Sequence, residues 1–137
     1  MNELRVRDLM TEKVVSVRPQ DSVEKIYDAM AEKSIRHLAV IDEEGDLVGV
    51  VSHRDLLRNA RVERSDLPLS VQRELMRRMK VEEVMTSEVE TAEPEQPLSE
   101  AAQVMFENKY GCLPVVSGWR VVGILTESDF VKFFTQH

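Results

Sequence analysis

Val6-Arg7-Asp8-Leu9-Met10-Thr11 returns 75 positions later as Val81-Glu82-Glu83-Val84-Met85-Thr86. Outward from that pair the register holds: Val14 meets Val89, Pro19 meets Pro94, Met30 meets Met105, Leu38 meets Leu113 and Val40 meets Val115. One residue fewer in a turn drops the shift to 74, so Gly49 meets Gly123, Ser52 meets Thr126 and Asp55 meets Asp129. A repeat fixes the building unit before any element is assigned. Polar residues kept in both copies at one junction also mark a candidate binding site.

Each copy has one pattern. Val14-Val15-Ser16-Val17 reads as a short strand closed by Arg18-Pro19-Gln20. Asp21 or Ser22 caps a helix, with Glu24 in capping-box position after Asp21. Val23, Ile26, Tyr27 and Met30 then share one helical face, repeated as Leu98, Ala101, Ala102 and Met105. Leu38 to Ile41 is a buried strand, residues 42–46 a turn, and Leu47 to Val51 the returning strand. The second hairpin runs through Leu113 to Val116, a turn at Ser117-Gly118, and Trp119 to Leu125. A helix follows each hairpin, N-capped by Ser52 or Thr126, with Asp55 or Asp129 at its third position. The order strand, helix, strand, strand, helix is an α+β unit. We expect a first repeat over 1–64, a helical linker over 65–80 and a second repeat over 81–137. Copies of about fifty residues are marginal alone, so one shared core is expected. In the linker, broken from the first copy at Ser65 to Leu69, Val71, Leu75 and Met79 are spaced to pack on the body. Arg73, Arg77 and Lys80 lie off that stripe, and Glu74 pairs with Arg78.

Composition narrows the function. With 42% hydrophobic and 31% charged residues, the chain reads as soluble and globular. No apolar run approaches membrane-spanning length, and the first residues lack the apolar stretch of a signal peptide. Cys112 is the only cysteine, which excludes an internal disulfide and fits a reducing cytoplasm. It reads as a small buried apolar residue with no base placed for it. Residues 81–137 carry the whole net charge of −7. That argues against nucleic-acid binding there. The basic stretch from Arg54 to Lys80 reads as a solvated helix face, with nucleic-acid contact through Arg73, Arg77, Arg78 and Lys80 as the lesser reading. His37, His53 and His137 have no metal-ligand spacing, and no catalytic set accompanies them. The chain reads as a non-enzyme that requires no cofactor.

Gly49-Val50-Val51-Ser52-His53-Arg54-Asp55 and Gly123-Ile124-Leu125-Thr126-Glu127-Ser128-Asp129 form an ordered, duplicated set with Met10-Thr11, Arg36-His37-Leu38-Ala39-Val40 and Leu113-Pro114-Val115. The set closely resembles the cystathionine-β-synthase (CBS) domain family, over both copies and nearly the whole chain except the linker. Ala39 departs from the typical proline at its place. The resemblance implies two β-α-β-β-α repeats packed with pseudo-twofold symmetry into one module. It implies two clefts that take adenosine-containing ligands such as AMP, ADP, ATP or S-adenosylmethionine. It also implies homodimers formed through helices, for which Phe130-Val131-Lys132-Phe133-Phe134 is apolar enough.

Carried over by residue, the first cleft takes Asp55, Ser52 and Val50, with Met85, Glu88, Glu90, Tyr110 and Gly111 facing them and Arg36, His37 and Arg54 nearby. The second takes Asp129, Thr126 and Ile124, with Met10, Lys13, Val15, Ile35 and Arg36. Asp accepts ribose hydroxyls, and the Ser or Thr and the helix start hold phosphate. Gly111 and Cys112 stand where the first copy has Arg36 and His37, so the first cleft favours a phosphorylated ligand. The second has Glu127 close by and is expected to stay empty or to take a less anionic one. The expected function is a stand-alone ligand-sensing module read by an effector protein; the alternative is a dimeric scaffold that binds no small molecule. Ser/Thr-x-x-Asp also suits a plain capped helix, which needs no ligand.

Overall fold

The computed structural model describes residues 3–60 and 66–136. In chain order they form α1 (Val6–Leu9), β1 (Ser16–Val17), α2 (Val23–Lys33), β2 (His37–Ile41), β3 (Leu47–Ser52) and the single turn α3 (His53–Asp55). A wide π-type turn over Leu56–Ala60 follows. Then come α4 (Leu69–Arg78), a 3-10 turn at Val81–Glu83, α5 (Leu98–Asn108), β4 (Cys112–Ser117), β5 (Arg120–Thr126) and α6 (Glu127–Gln136). The expected break at Ser65, and the 64/65 boundary with it, lie outside the described residues.

Two compact units emerge, and they interleave in sequence. One comprises Val15–Glu44 and Val48–Glu88; the other comprises Met1–Val14, Gly45–Leu47 and Val89–His137. Instead of the single core expected, there are two core clusters, and each draws on both copies. The first gathers Val17, Val23, Ile26, Met30, Leu38, Val40, Val51 and Leu56 with Met76, Val81 and Val84. The second gathers Ala92, Ala101, Met105, Leu113, Val115 and Leu125 with Val6. Burying each large side chain fully contributes about 1.5–3 kcal/mol.

The repeated opening segment explains this exchange. In the first unit, Val81 N donates to Asp21 O at 2.8 Å, Glu82 N to Pro19 O at 3.0 Å, and Val23 N to Met79 O at 2.8 Å. In the second, Val6 N donates to Gln96 O at 2.9 Å, Arg7 N to Pro94 O at 3.0 Å, and Leu98 N to Leu4 O at 2.8 Å. Every partner keeps the 75-residue offset. Each opening turn closes on its own acid: Asp8 accepts from Arg5 N at 2.7 Å and Glu83 from Lys80 N at 2.6 Å. Val6 and Val81 are the fully buried anchors.

The first unit holds a sheet in the order β1-β2-β3. β1 runs parallel to β2, pairing Val17 with Val40. The expected strand from Val14 starts later, because Val14 N turns back to Glu12 O at 3.0 Å. In the second unit β4 and β5 are antiparallel, and Ala92 bridges Val115 where Val17 meets Val40 in the first. The α2 face is as expected, with Val23, Ile26 and Met30 buried and Tyr27 packed against them. Its cap is Ser22, which accepts from Lys25 N at 3.2 Å, while Asp21 accepts from Arg18 N. Glu24 makes no capping box; it binds Arg73 and Arg77.

That use of Glu24 corrects the reading of α4. Arg73 reaches Glu24 at 3.2 Å and Asp28 at 3.1 Å, and Arg77 reaches Glu24 at 3.0 Å. These bonds, Asp28 foremost for Arg73 and Glu24 for Arg77, push both arginine pKa values up. The guanidinium groups therefore face α2 and carry Met76 into the core, while Val71 and Leu75 point outward at 41% and 43% exposure. Met79 packs on the core as expected, and Arg78 pairs with Glu74 at 3.1 Å.

Candidate functional site

The Ser52-Asp55 turn closes on itself. Ser52 Oγ accepts from Asp55 N at 3.1 Å, and Asp55 Oδ2 accepts from Ser52 N at 2.8 Å. Oδ1 of Asp55 has no hydrogen bond to any described residue. The turn is held from below by the second copy's opening segment. Val50 N donates to Thr86 O at 2.9 Å, and Thr86 N donates to Val50 O at 2.8 Å. Gly49 permits that approach: a Cβ there would lie 2.7 Å from Met85 Sδ and 2.9 Å from Thr86 O. So Asp55, Ser52, Val50 and Met85 are assembled in one unit, which also holds Arg36, His37, Arg54 and the exposed Glu88.

The counterpart turn is built alike and bonded differently. Thr11 and Ile124 exchange backbone bonds of 2.8 and 2.9 Å, and a Cβ on Gly123 would lie 2.7 Å from Met10 Sδ. Asp129 Oδ2 accepts from Thr126 N at 2.8 Å and from Thr126 Oγ1 at 3.2 Å. Its Oδ1 accepts from Thr11 Oγ1 at 2.9 Å. Asp129, Thr126, Ile124, Met10 and the exposed Lys13 thus belong to one unit. Val15, Ile35 and Arg36, expected beside them, belong to the other; Glu90, Tyr110 and Gly111, expected beside Asp55, belong to the unit of Asp129.

Sequence reasoning missed a groove in the first unit. Tyr27, Met30, Ala31, Ser34, Ile35, Arg36 and His53 line a volume of about 440 Å³. His53 N donates to Arg36 O at 2.9 Å, which joins the start of α3 to the segment before β2. The groove adjoins the Ser52-Asp55 turn, but its lining includes neither Asp55 nor His37 and Arg54. The i, i+4 spacing of Tyr27 and Ala31 was visible; that His53 would close the groove depends on the fold. The hydroxyl bond from Thr11 to Asp129 was also missed, since 118 residues separate the pair.

Among the described residues, no three His, Cys, Asp or Glu side chains gather as metal ligands, and no helix is long and apolar enough to cross a membrane. Cys112 is buried on β4.

A duplicated β-α-β-β-α module with a Ser/Thr-x-x-Asp turn after each hairpin is the class of protein these features define. The chain belongs to the CBS domain family, whose model matches residues 6–61 and 81–135. The structure is similar to CBSX2 from Arabidopsis thaliana in complex with AMP, at 30% identity over 96% of this chain and 97% of that one, TM-score 0.80. It is also similar to the CBS domain pair of protein MJ0100 in complex with 5′-methylthioadenosine and S-adenosyl-L-methionine, at 26% identity over 98% of each chain, TM-score 0.80. A homoserine O-acetyltransferase of Methanococcoides burtonii is 34% identical over 90% of this chain and 23% of its own length. The chain spans less than half the length of the curated relatives it matches first.

Proposed function

We propose that this chain is a regulatory module that binds an adenosine nucleotide, with Asp55 taking the ribose. The observation that carries the reading is the state of the Asp55 carboxylate. Ser52 N fixes Oδ2, so the group is oriented before any ligand arrives, while Oδ1 is open to accept. A ribose presents two adjacent hydroxyl donors, and an oriented carboxylate accepts such a pair with charge-assisted bonds. Arg36 and Arg54 are cations of the same unit, which also holds His37, and they favour a phosphorylated ligand over a neutral nucleoside. Family members bound to AMP, 5′-methylthioadenosine and S-adenosylmethionine support the same ligand class. The role is sensing rather than catalysis: binding shifts a conformational equilibrium only by its differential affinity for two arrangements. A partner protein reads the shift, and the module works as a homodimer in the cytoplasm.

A thermal-shift series with AMP, ADP, ATP and S-adenosylmethionine tests this. A ligand at one hundred times its Kd adds about 2.7 kcal/mol. Asp55→Ala removes that stabilisation and leaves the unliganded melting point within a few degrees. Full-strength binding by Asp55→Ala refutes the site. The second reading, a dimeric scaffold without a ligand, is favoured by one feature: Val131 and Phe134 stand exposed on α6, with Phe133 edge-on to Phe134 at 5.8 Å. No shift with any of the four ligands, from a protein that sediments as a dimer, selects that reading.

A further inference from the structure

We infer that Thr11 closes the second carboxylate to ligand, so that one chain binds one nucleotide. This inference rests on the proposed role of the repeated Asp. An ionised carboxylate has roughly four acceptor positions, two on each oxygen. On Asp129 three are taken: two on Oδ2 by Thr126 N and Thr126 Oγ1, and one on Oδ1 by Thr11 Oγ1. On Asp55 one is taken, on Oδ2 by Ser52 N. A ribose diol brings two donors. Asp55 accommodates both without losing a bond, whereas Asp129 does so only by expelling a hydroxyl it already holds.

The difference lies in the hydroxyls. Ser52 Oγ accepts from the backbone of its own turn, which leaves the Asp55 carboxylate alone; Thr126 Oγ1 donates to Asp129 directly. Thr86 is the partner of Thr11 in the repeat, and its hydroxyl bonds to no described residue. Thr11 thus occupies, from within the chain, an acceptor position that a sugar hydroxyl would use. Its backbone pairing with Ile124 holds it there independently of the side chain. Removing the hydroxyl alone therefore leaves the segment in place and gives Asp129 an oxygen as open as Asp55 Oδ1. The residue determines how many sites work, not whether the family's turn forms.

Titration calorimetry with AMP reads this as a stoichiometry. The wild type takes one AMP per chain, and Asp55→Ala takes none. Thr11→Val, which keeps shape and β-branching, takes two, as does Thr11→Ala should valine perturb the fold. Thr11→Ser keeps one. Thr11→Val combined with Asp129→Ala returns to one. Two AMP per wild-type chain, or one per folded Thr11→Val and Thr11→Ala chain, overturns the inference while leaving the Asp55 reading intact. No binding by the wild type, or binding that survives Asp55→Ala, overturns the Asp55 reading and this inference with it.

Discussion

Replacing Gly49 by alanine puts a methyl group where the chain has no room. The added Cβ lies 2.7 Å from Met85 Sδ and 2.9 Å from Thr86 O. The sulfur is part of a flexible side chain and can move. The carbonyl is backbone, fixed by the bond it accepts from Val50 N at 2.9 Å. Relief therefore requires the Thr86 segment to retreat. Overpacking of this kind costs about 1–3 kcal/mol, and weakening one backbone bond adds about 1 kcal/mol. Reduced freedom of the unfolded chain returns about 0.4–1 kcal/mol, leaving a net loss of about 2 kcal/mol. At an unfolding entropy of ~2.1 cal/mol/K per residue, the melting point falls by about 7 °C. At Gly123 the comparable carbonyl, Thr11 O, is 3.1 Å away, so Gly123→Ala costs less. Calorimetry on both variants checks size and order. In a Met85→Ala background the Gly49→Ala loss shrinks but persists, because the carbonyl remains. A melting point unchanged within about 2 °C, or the reverse order of the two variants, refutes the close-approach account.

Two further predictions concern the helices. Met76→Ala empties a core position and costs about 2–4 kcal/mol in urea unfolding, whereas Val71→Ala, on the outward face of α4, changes stability by less than about 0.5 kcal/mol. Equal losses would mean that α4 is rotated from the position described. Ser34 and Lys109 end α2 and α5 with φ of 54° and 58°, left-handed backbone on residues that bear a Cβ. Ser34→Gly and Lys109→Gly each stabilise by about 0.5–1 kcal/mol, since glycine carries no such strain. A lower melting point for both excludes strain at these positions.

How much of this was legible depended on where the deciding partner sat. The α2 face was legible because Val23, Ile26 and Met30 carry the helical period in a run with few competing apolar residues. The hairpins were legible because turn residues bracket them. The face of α4 was not. Leu69, Val71, Leu75, Met76 and Met79 spread around the helix, so periodicity alone allows more than one buried side. The choice is made by Arg73 and Arg77 meeting acids 45 to 53 residues earlier. The candidate carboxylates were legible from duplication, since Asp55 and Asp129 keep one place in both copies. Their hydrogen-bonding states were not, because Thr11 reaches Asp129 across nearly the whole chain. The exchange of opening segments was also hidden, as a repeat shows which residues correspond and not which copy they pack in.

That exchange bears on how the chain tolerates loss. A frameshift or stop before residue 81 removes more than the second copy. It strips Val81 and Val84 from around Val17, Ile26 and Leu38, and with them the carbonyl and amide partners of Asp21, Pro19 and Val50. A start after residue 14 likewise takes Val6 from the core that Leu113 and Leu125 belong to. Gene duplication usually leaves a spare that can decay; here each half has become a component of the other, so neither is redundant.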